Sequence, residues 1–165
     1  MRSEPVDPEL YRQVVGRFAT GVAVVTTVVD GVDHAMTVNA FTSVSLEPLL
    51  VLFCAEKVAR FHEFVLGSEQ WAVSVLSEDM HEASTWFATR GRDLDGQLEG
   101  WPHTRGPVTG AAVFSAAVAA LECRTHAVHD AGDHSIVVGE VLGLDLPDPR
   151  GRPLIFYDGT YRSLA

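Results

Sequence analysis

The feature of this sequence that points most clearly to ligand chemistry is an uncharged polar face on one predicted strand. In the segment 35–45, AMTVNAFTSVS, alternate positions share a face. That face carries Ala35, Thr37, Asn39, Phe41, Ser43 and Ser45. A strand facing solvent would usually carry Lys, Glu or Arg. Hydroxyls, one amide and the free backbone of a strand end suit a large, flat, neutral heterocycle.

Two cations follow this segment at the predicted start of a helix. Lys57 and Arg60 lie there, and cations beside a helix N-terminus suit a phosphate group. Together the two features indicate a phosphorylated ring cofactor. The alternative is a barrel interior in which the hydroxyls of segment 37–45 bond to the backbone.

Other chemistries have weaker support. A local cluster of titratable residues has a spacing that matches no familiar metal-ligand set, so we predict a polar turn and no metal site. The cluster comprises His126, His129, Asp130, Asp133 and His134. Cys54 follows a buried apolar run, which favours a small core residue over a catalytic thiolate. The sequence contains no Walker loop, Gly-x-Ser-x-Gly elbow or His-Glu-x-x-His motif.

Composition narrows the class of protein. A length of 165 residues predicts a single domain spanning 1–165. Twelve basic and 22 acidic residues give a net charge of −10, which argues against nucleic acid or an anionic membrane as the main partner. No apolar run approaches the roughly 20 residues of a membrane span. Cys54 and Cys123 lack CxxC spacing, which predicts reduced thiols and a cytoplasmic location.

The first half of the chain predicts helices between buried strands. Asp7 caps a first helix whose Leu10, Val14 and Phe18 recur every four residues, with Gly21 as its stop. A second helix over 58–66 ends at Gly67. A third begins at Asp79, with Glu82 at capping-box spacing and an apolar stripe. That stripe consists of Met80, Ala83 and Phe87. Strands are predicted over 21–29, 49–54 and 71–76.

The second half predicts a long glycine-rich loop over 90–110, then more strands. Long strands cover 116–128 and 135–144, and a hairpin turns at Asp158-Gly159. The total is six or seven strands and three helices. Strands in succession with few helices between them indicate a mainly β (α+β) fold, an antiparallel Greek-key-like barrel with helical decorations.

Four segments in order resemble the flavin reductase family, the small reductase components of two-component flavin-dependent monooxygenases. They are RFATGVAVVTT (17–27), MTVNAFTSVSLEPLLVLFC (36–54), GDHSIVVGEV (132–141) and PLIFYDGTY (153–161). The resemblance covers nearly the whole chain. It implies an FMN-binding split β-barrel, a homodimer, and flavin bound near the dimer interface.

The resemblance also implies roles for individual residues. Along the edge of the flavin ring it places Thr37, Val38, Asn39 and Ala40. Toward the ribityl and phosphate portion it places Ser43, Val44 and Ser45. At the next strand end beside the flavin it places Cys54, Ala55 and Glu56. Lys57 matches a usually basic position that would face the phosphate, and Phe87 matches the family's Phe-Ala pair.

Residues from the C-terminal half complete the expected site. His134 of the Gly-Asp-His motif matches the histidine that the family places beside the nicotinamide. The alternative is a turn histidine that is hydrogen-bonded to Asp133. Tyr157 and Tyr161 lie in the segment that closes that side. Val58 and Ala59 stand where the family commonly has hydroxyl residues that bind phosphate, which leaves both FAD and FMN open. Gly91–Asp95 lacks the aromatic residue of the family's Gly-x-Asp-x-Phe.

The resemblance implies an NAD(P)H:flavin oxidoreductase that passes hydride from NADH, the favoured donor, or NADPH to FAD or FMN. The reduced flavin then leaves for a separate flavin-dependent monooxygenase. The alternatives are a non-catalytic flavin-binding or haem-binding split-barrel module, a pyridoxamine-phosphate-oxidase-like enzyme on the same barrel, and a plain structural barrel.

Overall fold

The structure, a computed structural model, describes residues 5–165. Residues 1–4 of the predicted domain lie outside the described residues. The helices are α1 (Pro8–Val15), α2 (Arg60–Ser68) and α3 (His81–Ala88), with a short 3-10 helix over Glu78–Met80. The strands are β1 (Thr20–Gly21), β2 (Ala23–Val29), β3 (Val32–Val38), β4 (Phe41–Leu46), β5 (Leu49–Glu56), β6 (Gln70–Val75), β7 (His103–Arg105), β8 (Ala112–Phe114), β9 (Ala119–Ala131), β10 (His134–Asp145), β11 (Ile155–Tyr157) and β12 (Thr160–Arg162).

One seven-stranded antiparallel sheet dominates the fold, in the order β3-β2-β6-β9-β10-β5-β4. Its two edge strands, β3 and β4, follow each other directly in the chain and are joined at Asn39–Ala40. The two edges therefore meet at that junction. The Cys54 amide of β5 donates to the Ala40 carbonyl at 3.1 Å, which continues the β4–β5 ladder up to the junction. The sheet thus curls without closing into a continuous ladder. This confirms the predicted mainly β split barrel.

Strand β2 is buried on both faces because it separates two core clusters. Val24 packs in a cluster with Phe87 of α3 and Phe114 of β8. Val25 packs in the other cluster, with Trp71. Two apolar environments on opposite sides of one strand explain the nearly continuous run of β-branched residues in its sequence.

The predicted apolar stripe of the first helix forms only in part, because Leu10 and Val14 lie on α1 whereas Phe18 lies beyond its end. Within residues 5–165 none of the three is buried. Asp7 caps the helix by accepting the Glu9 amide at 2.9 Å. The helix ends at Val15, and the prediction that Gly21 stops it was wrong. The stripe residues stay exposed, by 55% for Leu10, 63% for Val14 and 78% for Phe18. An amphipathic helix normally buries such a stripe.

Two other helix boundaries differ from the prediction for local reasons. Helix α2 runs on to Ser68, and Glu69 takes the left-handed conformation expected at Gly67. The capping box of Asp79 and Glu82 is absent, since the 3-10 turn leads into α3 without a side-chain cap. The stripe on α3 is nevertheless buried as predicted.

The strand count of six or seven was too low. The segment 35–45 is two strands, because the chain breaks at Asn39–Ala40. The loop predicted over 90–110 contains β7, which pairs with β8. Strands of three residues are too short to show a periodicity of their own, so the sequence pattern does not reveal this pairing.

Within residues 5–165, no helix has the length and apolar character that crossing a membrane requires.

The sheet centre depends on one glycine. A Cβ atom built on Gly139 of β10 would lie 2.3 Å from Cζ2 of Trp71, a fully buried side chain. The Trp71 ring is fixed edge-on to Phe53, and its Nε1 donates to Thr125 Oγ1 at 3.0 Å. These contacts prevent the Trp71 ring from moving aside. Strand β10 can therefore pack this closely against Trp71 only with glycine at position 139.

We predict that Gly139→Ala lowers the free energy of unfolding by about 1–3 kcal/mol, the usual cost of overpacking a core. The matched control is Gly21→Ala, because a Cβ there meets nothing within 4 Å. That control should change stability by less than about 0.5 kcal/mol. Urea unfolding of both variants measures the difference, and equal stability would contradict the packing described.

Candidate active site

A cavity of about 450 Å³ opens beside the break between β3 and β4. This volume lies in the usual range for small-molecule and cofactor sites. Its walls come from the ends of β3 and β5, the first turn of α2, and the chain that follows α3. Its lining residues are His34–Ala40, Cys54, Glu56, Val58–Phe61, Phe87–Arg92, Leu94, Gln97 and His134.

The structure brings nine of the sixteen predicted site residues to this cavity. They are Thr37, Val38, Asn39, Ala40, Cys54, Glu56, Arg60, Phe87 and His134. Asn39 and Ala40 form the strand break itself, and Thr37 and Val38 end β3. Cys54 and Glu56 reach the cavity because alternate residues of β5 face away from the barrel core.

Ala55 and the predicted residues of β4 lie elsewhere. Ala55 is fully buried on the opposite face of β5 and packs in the core with Phe53. Ser43, Val44 and Ser45 lie on β4, the largely exposed edge of the sheet, outside the cavity lining. The bulge between Ser43 and Ser45 interrupts the regular alternation of side chains between the two faces of β4, which the prediction of a single polar face assumed.

The two predicted tyrosines also lie outside the cavity lining. Tyr161 reaches the site indirectly. The Thr37 hydroxyl donates to the Ser84 carbonyl at 2.7 Å, and the Ser84 hydroxyl shares a 2.7 Å hydrogen bond with the Tyr161 hydroxyl. This chain ties β3 to α3 and to the C-terminal hairpin. Tyr157 instead accepts from Arg17 near α1.

Lys57 is directed away from the cavity. Its amino group donates to Asp130 and, at 2.7 Å, to the carbonyl of Gly132. Both partners lie at the β9–β10 turn. The cation predicted to face a phosphate therefore anchors this turn, which carries His134.

Three arginines at the cavity wall carry its positive charge. Arg60 was predicted, whereas Arg90 and Arg92 were not among the predicted site residues. Arg90 donates to both oxygens of Glu56, at 2.6 and 2.7 Å, and so links the chain after α3 to the end of β5. The run Arg90-Gly91-Arg92 just after a helix is the sequence signal that could have found them.

Arg92 is held by backbone carbonyls and not by a carboxylate. Its Nη2 donates to the Ala35 carbonyl and its Nη1 donates to the Thr89 carbonyl at 2.9 Å. The guanidinium also lies 5.6 Å from the centre of the Phe87 ring. Burial, followed by the positive charge of Arg60, lowers the pKa of Arg92.

Cys54 and His34 are cavity residues without an obvious acid–base role. Burial raises the pKa of the Cys54 thiol, which keeps it protonated and a poor nucleophile at neutral pH. His34 is buried and stacks on Phe64, with ring centres 3.6 Å apart. Burial is also the main cause that lowers the pKa of His34, so its ring is neutral.

His134 stands at the rim of the cavity, directly across the β5–β10 ladder from Glu56. Its Nδ1 lies 2.7 Å from Asp133 Oδ1. This hydrogen bond is the main cause that lowers the pKa of Asp133. The contact fixes the ring orientation and leaves Nε2 for another partner. Among residues 5–165, no three histidines, cysteines or carboxylates are grouped as a metal ion would require.

The donor set suits an elongated ligand with one neutral and one anionic part. Val38, Phe87 and the backbone of the strand break offer apolar contacts and amide hydrogen bonds. Arg60 at the start of α2 and Arg92 in the chain after α3 offer positive charge at another part of the cavity wall.

Comparison with known proteins agrees with this arrangement. Residues 15–165 match the family described as flavin reductase like domain. The chain is 36% identical over 163 residues to the reductase subunit HsaB of a flavin-dependent monooxygenase from Mycobacterium tuberculosis, covering 98% of this chain and 85% of HsaB. It is 40% identical to SmoA, an FMN reductase (NADH) from Agrobacterium fabrum, over 92% of this chain and 83% of SmoA.

The fold is similar to a solved structure as well. The NADH:FAD oxidoreductase SgcE6 of Streptomyces globisporus, in complex with NAD and FAD fragments, superposes with a TM-score of 0.90 and 38% identity. The match covers 99% of this chain and 98% of SgcE6. With a matching family over most of its length, close relatives and a shared fold, the chain belongs to the flavin reductase family.

Proposed function

We propose that this protein is an NADH-dependent flavin reductase that supplies reduced flavin to a separate flavin-dependent monooxygenase. The observation that carries the proposal is that one cavity is lined by the strand break at Asn39–Ala40, by three arginines and by His134. Relatives described as NADH-dependent reductases of FMN and of FAD support the choice of substrates. The assay described below ranks NADH against NADPH and FMN against FAD.

The cavity residues fit a flavin by their chemistry. The backbone at Asn39–Ala40 offers hydrogen bonds to a flat polar ring edge, while Val38 and Phe87 offer apolar contacts. When bound, the flavin supplies the hydride-accepting centre, and the nicotinamide ring supplies the hydride. The protein's contribution is orientation, since holding reacting atoms at about 3–3.5 Å and aligned supplies much of the rate.

We propose that His134 positions the nicotinamide half of NADH. Asp133 holds its ring through Nδ1, and Lys57 holds the turn that carries both residues. The Lys57 amide also donates to the Asp133 carbonyl at 2.9 Å. The position at the rim, across the ladder from Glu56, leaves His134 accessible to a second substrate.

We further propose that the chain 1–165 acts as one domain and forms a homodimer in the cytoplasm. The support for the dimer is the exposed apolar surface of Leu10 and Val14 on α1 and of Phe18 shortly after this helix. Beside it, a groove of about 550 Å³ is lined by further apolar residues. These include Val15, Phe41, Leu52 and Phe156. Exposed apolar surface of this extent is typical of a protein interface.

A non-catalytic flavin-binding module is the second candidate. It would need the ring and phosphate contacts but not a fixed histidine at the rim. His134 lines the cavity, and a passive module has no use for a nicotinamide-binding histidine there, so this position favours the reductase.

The first prediction for function is flavin-dependent oxidation of NADH. Purified protein mixed with NADH should lose absorbance at 340 nm only when FMN, FAD or riboflavin is added. Repeating the assay with NADPH ranks the donors. Flavin binding without oxidation of either nucleotide would instead support the binding module.

A second prediction concerns His134. The variant His134→Ala should raise the KM for NADH at least about fivefold while flavin affinity changes by less than about twofold, because only nicotinamide contacts are lost. The matched control is His129→Ala, since His129 is exposed on β9 outside the cavity lining. An equal loss of flavin affinity in His134→Ala would contradict the assigned role.

A third prediction concerns the dimer. The native protein should have twice the 17.9 kDa chain mass by light scattering, and Val14→Lys should shift it toward the monomer. A charge buried in an apolar interface is costly. Val32→Lys is the control, because Val32 is exposed at the far end of the β2–β3 hairpin. A native monomer, or equal effects of the two variants, would rule out this interface.

A further inference from the structure

One ion pair forms part of the cavity wall. Nη2 of Arg90, in the chain just after α3, donates to both carboxylate oxygens of Glu56, at 2.6 and 2.7 Å. Glu56 is the last residue of β5, and both residues line the cavity. A ligand that enters the cavity therefore meets a carboxylate and a guanidinium that are bound to each other.

The position of Glu56 brings this ion pair beside His134. The two residues are opposite each other in the antiparallel β5–β10 ladder. Residues opposed in this way have their side chains on the same face of the sheet, with Cβ atoms about 4.5–5.5 Å apart. His134 lines the cavity as well. The carboxylate that holds Arg90 is thus next to the histidine that we assign to the nicotinamide half of NADH.

Carboxylates outnumber cations at this part of the rim. Among residues 5–165, the groups that form ion pairs beside His134 are Glu56, Asp130, Asp133, Lys57 and Arg90. The three carboxylates repel the diphosphate of a nicotinamide nucleotide, which carries two negative charges. The amino group of Lys57 is occupied on two sides, by Asp130 and by the carbonyl of Gly132. Arg90 is therefore the cation of this group that can turn to an incoming diphosphate.

Arg90 has unused donors and a weakly held partner. In the described part of the chain its side-chain hydrogen bonds all run through Nη2, which leaves the donors of Nη1 and Nε for another acceptor. The side chain is 74% exposed, and exposed ion pairs are weak because water competes for both partners. A diphosphate offers two charges and several acceptor oxygens, so it competes well with one carboxylate for this guanidinium.

We propose that Arg90 exchanges partners, pairing with Glu56 in the free protein and with the diphosphate of NADH when the nicotinamide ring lies at His134. This rests on the proposed flavin reductase function and on the role assigned to His134. Only one ribose separates the nicotinamide ring from the diphosphate, so a ring at His134 brings the diphosphate to the neighbouring ion pair. Glu56 is then an autoinhibitory contact, because it occupies the cation that NADH requires and so lowers the affinity for NADH.

An ion pair that is purely structural has different consequences. Its only effect would be to fix the chain after α3 on the end of β5. Removal of either partner would then break the same link and shift the affinity for NADH in the same direction. In a partner exchange the two shifts are opposite, because Glu56→Gln frees the arginine whereas Arg90→Gln removes it.

The test is equilibrium binding of the 1,4,5,6-tetrahydronicotinamide analogue of NADH, which cannot donate hydride, by calorimetry in the presence of saturating FMN. Arg90→Gln should raise the dissociation constant of the analogue by about fivefold or more, since a charge-assisted hydrogen bond is lost. Glu56→Gln should lower it by about threefold, since the competing exposed ion pair is removed. The double variant should resemble Arg90→Gln, because Glu56 acts through Arg90.

The matched control is a second ion pair with similar exposure. Arg124 pairs with Glu140 at 2.8 Å, and their side chains are 55% and 35% exposed, against 74% and 33% for Arg90 and Glu56. Both control residues lie outside the cavity lining. Arg124→Gln and Glu140→Gln should each change the affinity for the analogue by less than about twofold. Titration of every variant with FMN alone, followed by flavin fluorescence, shows whether the cavity has kept its fold.

Three results would overturn the partner exchange. Weaker binding of the analogue in both Glu56→Gln and Arg90→Gln would make the ion pair purely structural. Opposite shifts for FMN instead of the analogue would assign Arg90 to the flavin. Unchanged binding of the analogue in both variants, or no binding to the native protein, would exclude Arg90 from the nucleotide site.

These results are distinct from failure of the proposed function. Binding of the analogue needs no turnover, whereas the reductase function is decided by the loss of NADH absorbance at 340 nm. A protein that binds the analogue through Arg90 but does not oxidise NADH keeps the partner exchange and loses the reductase function.

Discussion

The break at Asn39–Ala40 determines the rest of the molecule. There the chain leaves β3 at one edge of the seven-stranded sheet and enters β4 at the other edge. The two edges are therefore tethered by two residues, and the sheet must curl until they nearly meet. The Cys54–Ala40 hydrogen bond continues the β4–β5 ladder up to this junction. A continuous ladder would have used every amide, whereas the break leaves backbone groups of the strand end available to a ligand.

The cavity follows from this curvature. A curled sheet turns the outward face of β5 toward the break, which brings Cys54 and Glu56 to the same space as Thr37 and Asn39. Helix α3 packs across β3, and its buried Phe87 both fills one core cluster and lines the cavity. The Arg90–Glu56 ion pair then links the chain after α3 to the end of β5 at the cavity wall. Phe87 therefore contributes both to the packing of the core and to the wall of the cavity.

Features that depend on a few neighbouring residues could be predicted from the sequence. Features that depend on contacts between residues far apart in the chain could not. Both Asp-Gly turns were predictable, because a two-residue hairpin needs positive φ at both positions; Asp30 and Gly31 have φ of 51° and 77°. The strand break was not predictable, because the alternation of residue types continues through Asn39 and Ala40. Lys57 was expected at a phosphate, but Asp130 lies 73 residues away in sequence and only the folded β9–β10 turn brings it near.

Charge explains why a site with few cations can still serve a reductase that releases its product. NADH and phosphorylated flavins are anions, and a chain of net charge −10 repels them over its surface as a whole. Lys57, Arg90 and Arg105 pair with carboxylates, whereas within residues 5–165 Arg60 and Arg92 do not, so the unpaired positive charge at the cavity lies on these two arginines. Arg60 is exposed, and water and salt weaken an exposed contact. Affinity is thereby limited, which suits a flavin that must leave after reduction to reach another protein.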